Sequence, residues 1–164
     1  LNYLMDANTY IQAKNVYYNM DFCPAFWDWL EKQFQAGQVM SIDNVYLELT
    51  DSTDTLSQWA KAHQAHFISV ADTATQATFT DIANYVVSLK GKSPVDIANF
   101  LSKADPWLIA KAVTTGATVV THEKVVDAAS KKVKVPNICQ QFNVSYINTF
   151  QLLTQLQAQF VLGN

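Results

Sequence analysis

The chain contains no arginine; all eleven of its basic residues are lysine. Bidentate guanidinium contacts to phosphate or guanine are therefore excluded. Any nucleic-acid recognition must lean on lysine point charges, backbone amides and shape. No apolar run approaches the ~18 residues of a membrane-spanning helix, so the chain is expected to make no use of a membrane. Leu1–Asp6 has no basic flank and is interrupted by Asp6, so it does not read as a signal peptide. Cysteine is almost missing. Cys23 and Cys139 lie far apart and join no CxxC or Cys/His pattern, which predicts two reduced packing residues in a cytoplasmic protein. Internal repeats, low-complexity segments and linkers are also missing, so residues 1–164 read as one domain with enough chain for a substantial core. With 49% hydrophobic and only 15% charged residues, that domain is globular and not disordered.

Charge is unevenly placed. Residues 90–134 carry eight lysines (90, 92, 103, 111, 124, 131, 132 and 134) against the acids at 96, 105, 123 and 127, a local +4; the remainder is −7 within the chain's net −3. A lysine-rich segment of this kind is compatible with a polyanionic ligand approaching from one side. It equally suits lysines that solvate surface helices and loops.

Short apolar runs alternate with helical patterns. Strands are expected over Leu1–Met5, Val39–Ile42, Phe67–Val70, Ala117–Thr121 and Val144–Ile147. Helices are expected to begin at Tyr10–Lys14 after a turn at Asn8-Thr9, and to cover Pro24–Ala36, ended by Gly37. Further helices are expected at Asn44–Leu49 with Asp43 as N-cap, from Asp51–Asp54 through Trp59 to His63, and at Thr75–Leu89. Pro94–Leu101, Asp105 to about Gly116, and Thr149–Gln159 complete the set. Lys131–Cys139 reads as a basic loop, and the tail Phe160–Asn164 as fraying or packing on the sheet edge. This alternation defines an α/β domain with a mostly parallel sheet and right-handed crossovers. Trp27, Trp29, Trp59 and Trp107 sit at helical spacing, which reads as core more than as base-stacking platforms.

Candidate chemistry lies where apolar runs end. Asp6 follows Tyr3-Leu4-Met5, Glu48 lies in Val45-Tyr46-Leu47-Glu48-Leu49, Asp105 precedes Trp107-Leu108-Ile109-Ala110, and Glu123 follows Thr118-Val119-Val120-Thr121. Parallel α/β sheets place ligands at strand ends. Carboxylates gathered there oppose one another's ionisation unless a cation joins them, and hard oxygen ligands call for Mg²⁺ or Mn²⁺. Each residue also has a plain structural role open to it. Asp6 and Asn8 can bond local turn amides, Glu48 can be a surface helix residue, and Asp105-Pro106 is a favoured N-cap and N1 pair. Asn8, Thr9 and Thr121 are candidates to orient water or phosphate, and Lys124 to steer a backbone in, with the lysine loop 131/132/134. His122 can bond phosphate or stand exposed in a loop; His63 and His66 read as structural or solvent-facing.

Taken in order, these segments resemble the PIN domain. Asp6-Ala7-Asn8-Thr9, Phe26-Trp27-Asp28-Trp29-Leu30, Ser41-Ile42-Asp43 and Thr121-His122-Glu123-Lys124 are similar to a PIN-like branch of largely unassigned function, over nearly the whole chain. The resemblance implies a three-layer α/β/α sandwich around a mostly parallel five-stranded sheet ordered 3-2-1-4-5. It implies an acidic Mg²⁺ or Mn²⁺ site and ribonuclease activity on RNA. Many small bacterial members are toxins of toxin–antitoxin pairs and form homodimers, so an antitoxin protein is an implied partner. Asp6, Glu48 and Asp105 match the family's acidic positions, whereas Glu123 replaces the usual aspartate at the fourth, with Asp127 as the fallback. Two other readings stay open. A degenerate PIN module would bind RNA or protein without catalysis. A haloacid-dehalogenase-type phosphatase would share Asp6-x-Asn8-Thr9, although Asn8 stands where that class has its second aspartate.

Overall fold

The computed structural model describes residues 1–163. Strand β1 (Tyr3–Met5) runs directly through Asp6 into α1 (Ala7–Gln12), which continues as a π-helical turn over Ala13–Tyr17. Then follow α2 (Pro24–Gln35), β2 (Val39–Ile42), α3 (Asp43–Leu49), α4 (Thr55–Ala62) and β3 (Phe67–Ile68). The second half comprises α5 (Thr73–Ser88), α6 (Pro94–Ser102), α7 (Asp105–Thr115), β4 (Thr118–Val120), α8 (Val135–Gln141), β5 (Tyr146–Ile147) and α9 (Thr149–Gln155). The sheet order is β3-β2-β1-β4-β5 and every pairing is parallel, as the resemblance implied.

The chain steps from β1 outward to β3, then returns to the other side of β1 through β4. The order therefore reverses between β1 and β4, the crevice where open α/β sheets bind ligands. Right-handed crossovers put α1–α4 on one face and α5–α8 on the other. Packing agrees: α3 touches α1 and α4, while α7 touches α5, α6 and α8. Both faces are thus covered, which is why Leu4, Met5, Val119 and Val120 are buried without polar alternation.

Local signals explain most element ends. Pro24 opens α2, whose stripe of Phe26, Trp27 and Leu30 is buried. Gly37 (φ 73°) and Gly116 (φ 74°) take the left-handed conformation that ends α2 and α7. Asp54, Asp72 and Asn148 each accept a backbone N–H in the first turn of α4, α5 and α9. Trp107 stacks on Phe79 at 3.8 Å, joining α7 to α5, and Trp27 and Trp59 pack on each other. Trp27 is core and Trp29, Trp59 and Trp107 pack against it, partly buried, in keeping with their helical spacing.

Several expectations are corrected. Asn8 and Thr9 form the first turn of α1, not a separate turn, because Asp6 already caps the helix. Asp43 is the first residue of α3 and caps nothing; β2 passes into the helix with Ile42 at the N-cap. The supposed basic loop ends at Lys134, and Val135–Gln141 is helix α8, with Pro136 tolerated in its first turn. Strands β3 and β5 are shorter than expected, and α9 stops at Gln155. Phe160 packs on Tyr18, Phe26 and Trp29 instead of a sheet edge; the end of the expected tail, Asn164, lies outside the described residues.

Candidate functional site

Asp6 and the segment Thr121–Glu123 flank the crevice at the carboxyl ends of β1 and β4, tied together by an Asp6 N–H bond to the Val120 carbonyl (3.0 Å). Asp6 is buried. Its Oδ1 accepts from the Thr9 amide (2.8 Å) and the Thr9 hydroxyl (2.7 Å), so the same carboxylate caps α1. Thr9 is itself fully buried and also faces the Val120 carbonyl (3.2 Å). It positions Asp6; its hydroxyl is not free to orient water or phosphate.

Glu48 and Glu123 arrive from elements remote in sequence. Glu48 Oε1 accepts from the Ala104 amide (2.8 Å), and Glu123 Oε2 accepts from the Val135 amide (2.8 Å). Each glutamate thus satisfies a backbone N–H at the start of another helix, α7 or α8, where donors lack intrahelical partners. This overturns the N-cap reading of Asp105. Ala104 occupies the N-cap, Asp105 is the first helical residue, and no side chain of α7 caps its own helix. The Asp105 carboxylate makes no hydrogen bond or ion pair among the described residues.

Electrostatics links the set. Burial pushes the Asp105 carboxyl up to about 8, helped by negative charge on Asp6, Glu123 and Glu48 and opposed by Lys103. Burial likewise pushes Asp6 up to about 6, against hydrogen bonding from Thr121 and Thr9, with Glu123 adding like charge. Cys139 on α8 lies within the same field. Burial first, then Asp105, Asp6 and Glu123, push its thiol up to about 12, so it is a packing residue and not a nucleophile. Asp127 is exposed, bonds the Ala129 amide and does not act on Asp105, whereas Glu123 does.

The carboxylates share one field without forming a finished ligand shell. Among the described residues, no three His, Cys, Asp or Glu side chains make a preassembled metal-holding group. Asp6, Glu48 and Glu123 each also direct one oxygen to a main-chain amide. The donor set nonetheless fits a hard divalent cation. It is all carboxylate oxygen, Lys103 is the one cation acting on Asp105 among the described residues, and the second oxygens of Glu48 and Glu123 make no hydrogen bond there.

Beside this cluster lies an open cleft of about 790 Å³, lined by Asn8, Thr121, Glu123 and Lys124 among others. Three sequence candidates therefore join Glu123 on one surface. His122 lines the same cleft and bonds the Thr149 hydroxyl at 2.9 Å; it is half-buried, not an exposed loop residue. His66 is buried and neutral, its Nε2 sharing a hydrogen bond with the Tyr10 hydroxyl at 2.6 Å. A second cavity, of about 450 Å³, collects Lys90, Lys92, Lys132 and Lys134 without any acid in its lining. Asp43 and Asn44, absent from the sequence's site candidates, each have a buried Oδ1 that finds no partner among the described residues. Asn44 precedes Glu48 by one helical turn, so it shares that face of α3. The available signals were their place after β2 and, for Asp43, the segment Ser41-Ile42-Asp43.

The architecture and the acidic strand ends define a PIN-like α/β fold with its candidate site at the sheet's reversal point. The chain belongs to the family described as Domain of unknown function (DUF4411), whose model matches residues 3–160. Among solved structures it is similar to VapBC2 from Rickettsia felis, whose crystal structure is bound to a DNA fragment from their promoter. That likeness has a TM-score of 0.54 at 14% identity, over 90% of this chain and 98% of that one. No curated protein matches. Among the described residues, no helix is long and apolar enough to cross a membrane.

Proposed function

We propose that the chain is a divalent-metal-dependent ribonuclease hydrolysing RNA phosphodiester bonds. The observation that carries this reading is Asp105: a half-buried carboxylate with no bonded partner among the described residues, under the negative charge of Asp6, Glu48 and Glu123 at one strand-end crevice. Such an arrangement wants a cation, and its surroundings suit a phosphate. Asp6 and Asp105 would hold Mg²⁺ or Mn²⁺ directly, with Glu48 and Glu123 completing the shell through their free oxygens or through water. Bound there, the ion supplies acidified water and neutralises charge developing on phosphate. Thr9 fixes Asp6, and Thr121 fixes the Glu123 amide at 3.1 Å. Asn8 and Lys124, both exposed on the cleft, orient and attract the RNA backbone.

The likeness in fold to VapBC2 supports a toxin role in a two-protein system; an antitoxin segment would then cover the carboxylates, and the working unit would be a homodimer. The missing preassembled shell favours a second reading, a module that binds RNA or protein without cleaving. Calorimetric Mn²⁺ titration paired with cleavage of mixed single-stranded RNA separates them. The wild type should bind and cleave, and Asp6→Asn and Asp105→Asn should lose both while staying folded. Undiminished cleavage by both variants would sink the nuclease reading; binding without cleavage would establish the module.

A further inference from the structure

Three aromatic side chains stand outside the core on the cleft that Glu123 lines. Tyr17 and Phe150 are 41% and 43% exposed, whereas Phe26 and Trp27 are buried. Tyr17 closes the π-helical turn. That turn, sealed by the Tyr18 N–H bond to the Ala13 carbonyl (2.7 Å), carries one more residue than an α-turn. Its consequence is a division of labour between neighbours. Tyr18 stacks on Phe26 in the core (4.6 Å, 7°), while Tyr17 turns to the cleft.

The rings form a fixed set. Tyr17 meets Phe150 edge-on at 4.9 Å and His122 at 5.6 Å with a 32° tilt, and His122 meets Phe150 at 5.8 Å. The Thr149 hydroxyl holds the imidazole. Around these rings stand Asn8 and Gln12, whose carboxamides bond nothing among the described residues, and Lys124. The cleft's volume lies within the ~300–1,000 Å³ of ordinary ligand sites. Planar faces for stacking, free carboxamides for base edges and one cation are the equipment of single-strand recognition. A purely apolar peptide groove would not need the carboxamides.

We propose that Tyr17, His122 and Phe150 form a nucleobase subsite that takes an unstacked base of a single-stranded RNA next to the bond cut at the carboxylates. The inference rests on the nuclease reading for the identity of its substrate. Continuity supplies the link, because Thr121 and Glu123 belong to both the carboxylate crevice and the aromatic cleft.

The test uses a short single-stranded RNA carrying 2-aminopurine, whose fluorescence is quenched on stacking, bound in excess EDTA so that nothing is cleaved. The wild type is expected to bind with quenching. Tyr17→Leu and Phe150→Leu, which keep apolar bulk, should each weaken binding by roughly tenfold and lose the quench, whereas Tyr17→Phe should retain both. Thermal melting confirms that the leucine variants are folded. Unchanged affinity and quenching in both leucine variants overturns the subsite. Cleavage of unlabelled RNA in Mn²⁺ by the same proteins keeps the two ideas apart. A wild type that stacks the base but never cuts leaves the subsite standing and removes the nuclease. Cutting that is indifferent to both leucine changes does the reverse.

Discussion

Half-buried Asp105 and buried His66 are titratable groups with opposite consequences. The carboxyl of Asp105 is held up to about 8 by burial and by its acidic neighbours. Replacing it with asparagine removes a like charge from the cluster, so Asp105→Asn in metal-depleted protein should raise the melting temperature at pH 8–9 while abolishing Mn²⁺ binding. Melting with EDTA and titration with Mn²⁺ check the two halves, and a variant less stable than wild type in EDTA would contradict the charge argument. For His66, burial and the nearby His63 depress the imidazole from 6.5 to about 3. The unfolded chain then takes up a proton below 6.5 that the folded chain refuses until about 3. Stability from this group is complete above 6.5 and is lost as pH falls towards 3, on the order of a few kcal/mol. Asp6 and Asp105 titrate with the opposite sign over part of that range, so the difference between proteins isolates the histidine. His66→Gln keeps a hydrogen-bond partner for Tyr10, whichever of the two donates, without titrating. The stability gap between wild type and His66→Gln, measured by urea unfolding, should shift in the variant's favour from pH 7 to pH 4. A gap independent of pH would contradict it.

At the scale of elements, two helices begin on carboxylates supplied from elsewhere. Glu48 serves the Ala104 amide of α7, and Glu123 the Val135 amide of α8. Glu48→Ala should cost about 1 kcal/mol, the ordinary worth of a cap. Glu48→Gln should restore that stability, since an amide oxygen still accepts, but should not restore divalent-cation affinity. Urea unfolding and Mn²⁺ calorimetry on the pair separate capping from ligation; equal loss in both assays for Gln would deny the double role. This arrangement also marks where the sequence stopped being legible. The strand ends at Asp6 and Glu123 could be read because apolar runs stop there, and the sheet order followed from the family resemblance. Capping of α7 could not be read, because its acceptor lies 56 residues away and only the fold brings it near. Local rules offered Asp105-Pro106 as the cap, and the helix begins one residue earlier instead. Helix α8 was hidden by lysines and Pro136 at its start, although Ile138 and Cys139 pack in the core. The π-turn that sends Tyr17 outward leaves no mark in residue type at all.

The whole molecule divides its charge as its sequence does. Lysines 90, 92, 132 and 134 from two distant segments meet around one cavity, and Lys124 stands on the aromatic cleft, while the carboxylates concentrate negative charge at the crevice. A polyanion is repelled by that crevice unless a cation fills it, so lysines elsewhere must supply the long-range attraction. Because the chain has no arginine, each lysine meets phosphate as a point charge that carries no base information. The effect should therefore be uniform across RNA sequences and steep in salt. Measured in EDTA with a short single strand, the double substitution Lys132→Ala/Lys134→Ala should weaken binding for every sequence tested. It should also flatten the plot of log affinity against log salt by ~0.7 for each phosphate that no longer has a lysine partner. Tyr17→Leu should weaken binding without changing that slope, since a ring releases no counterion. If the lysine variant keeps the wild-type slope, the lysine cavity is a solvated face and the RNA is held by Lys124 and the aromatic cleft alone. If both variants flatten it equally, the ring set acts through electrostatics and not through stacking.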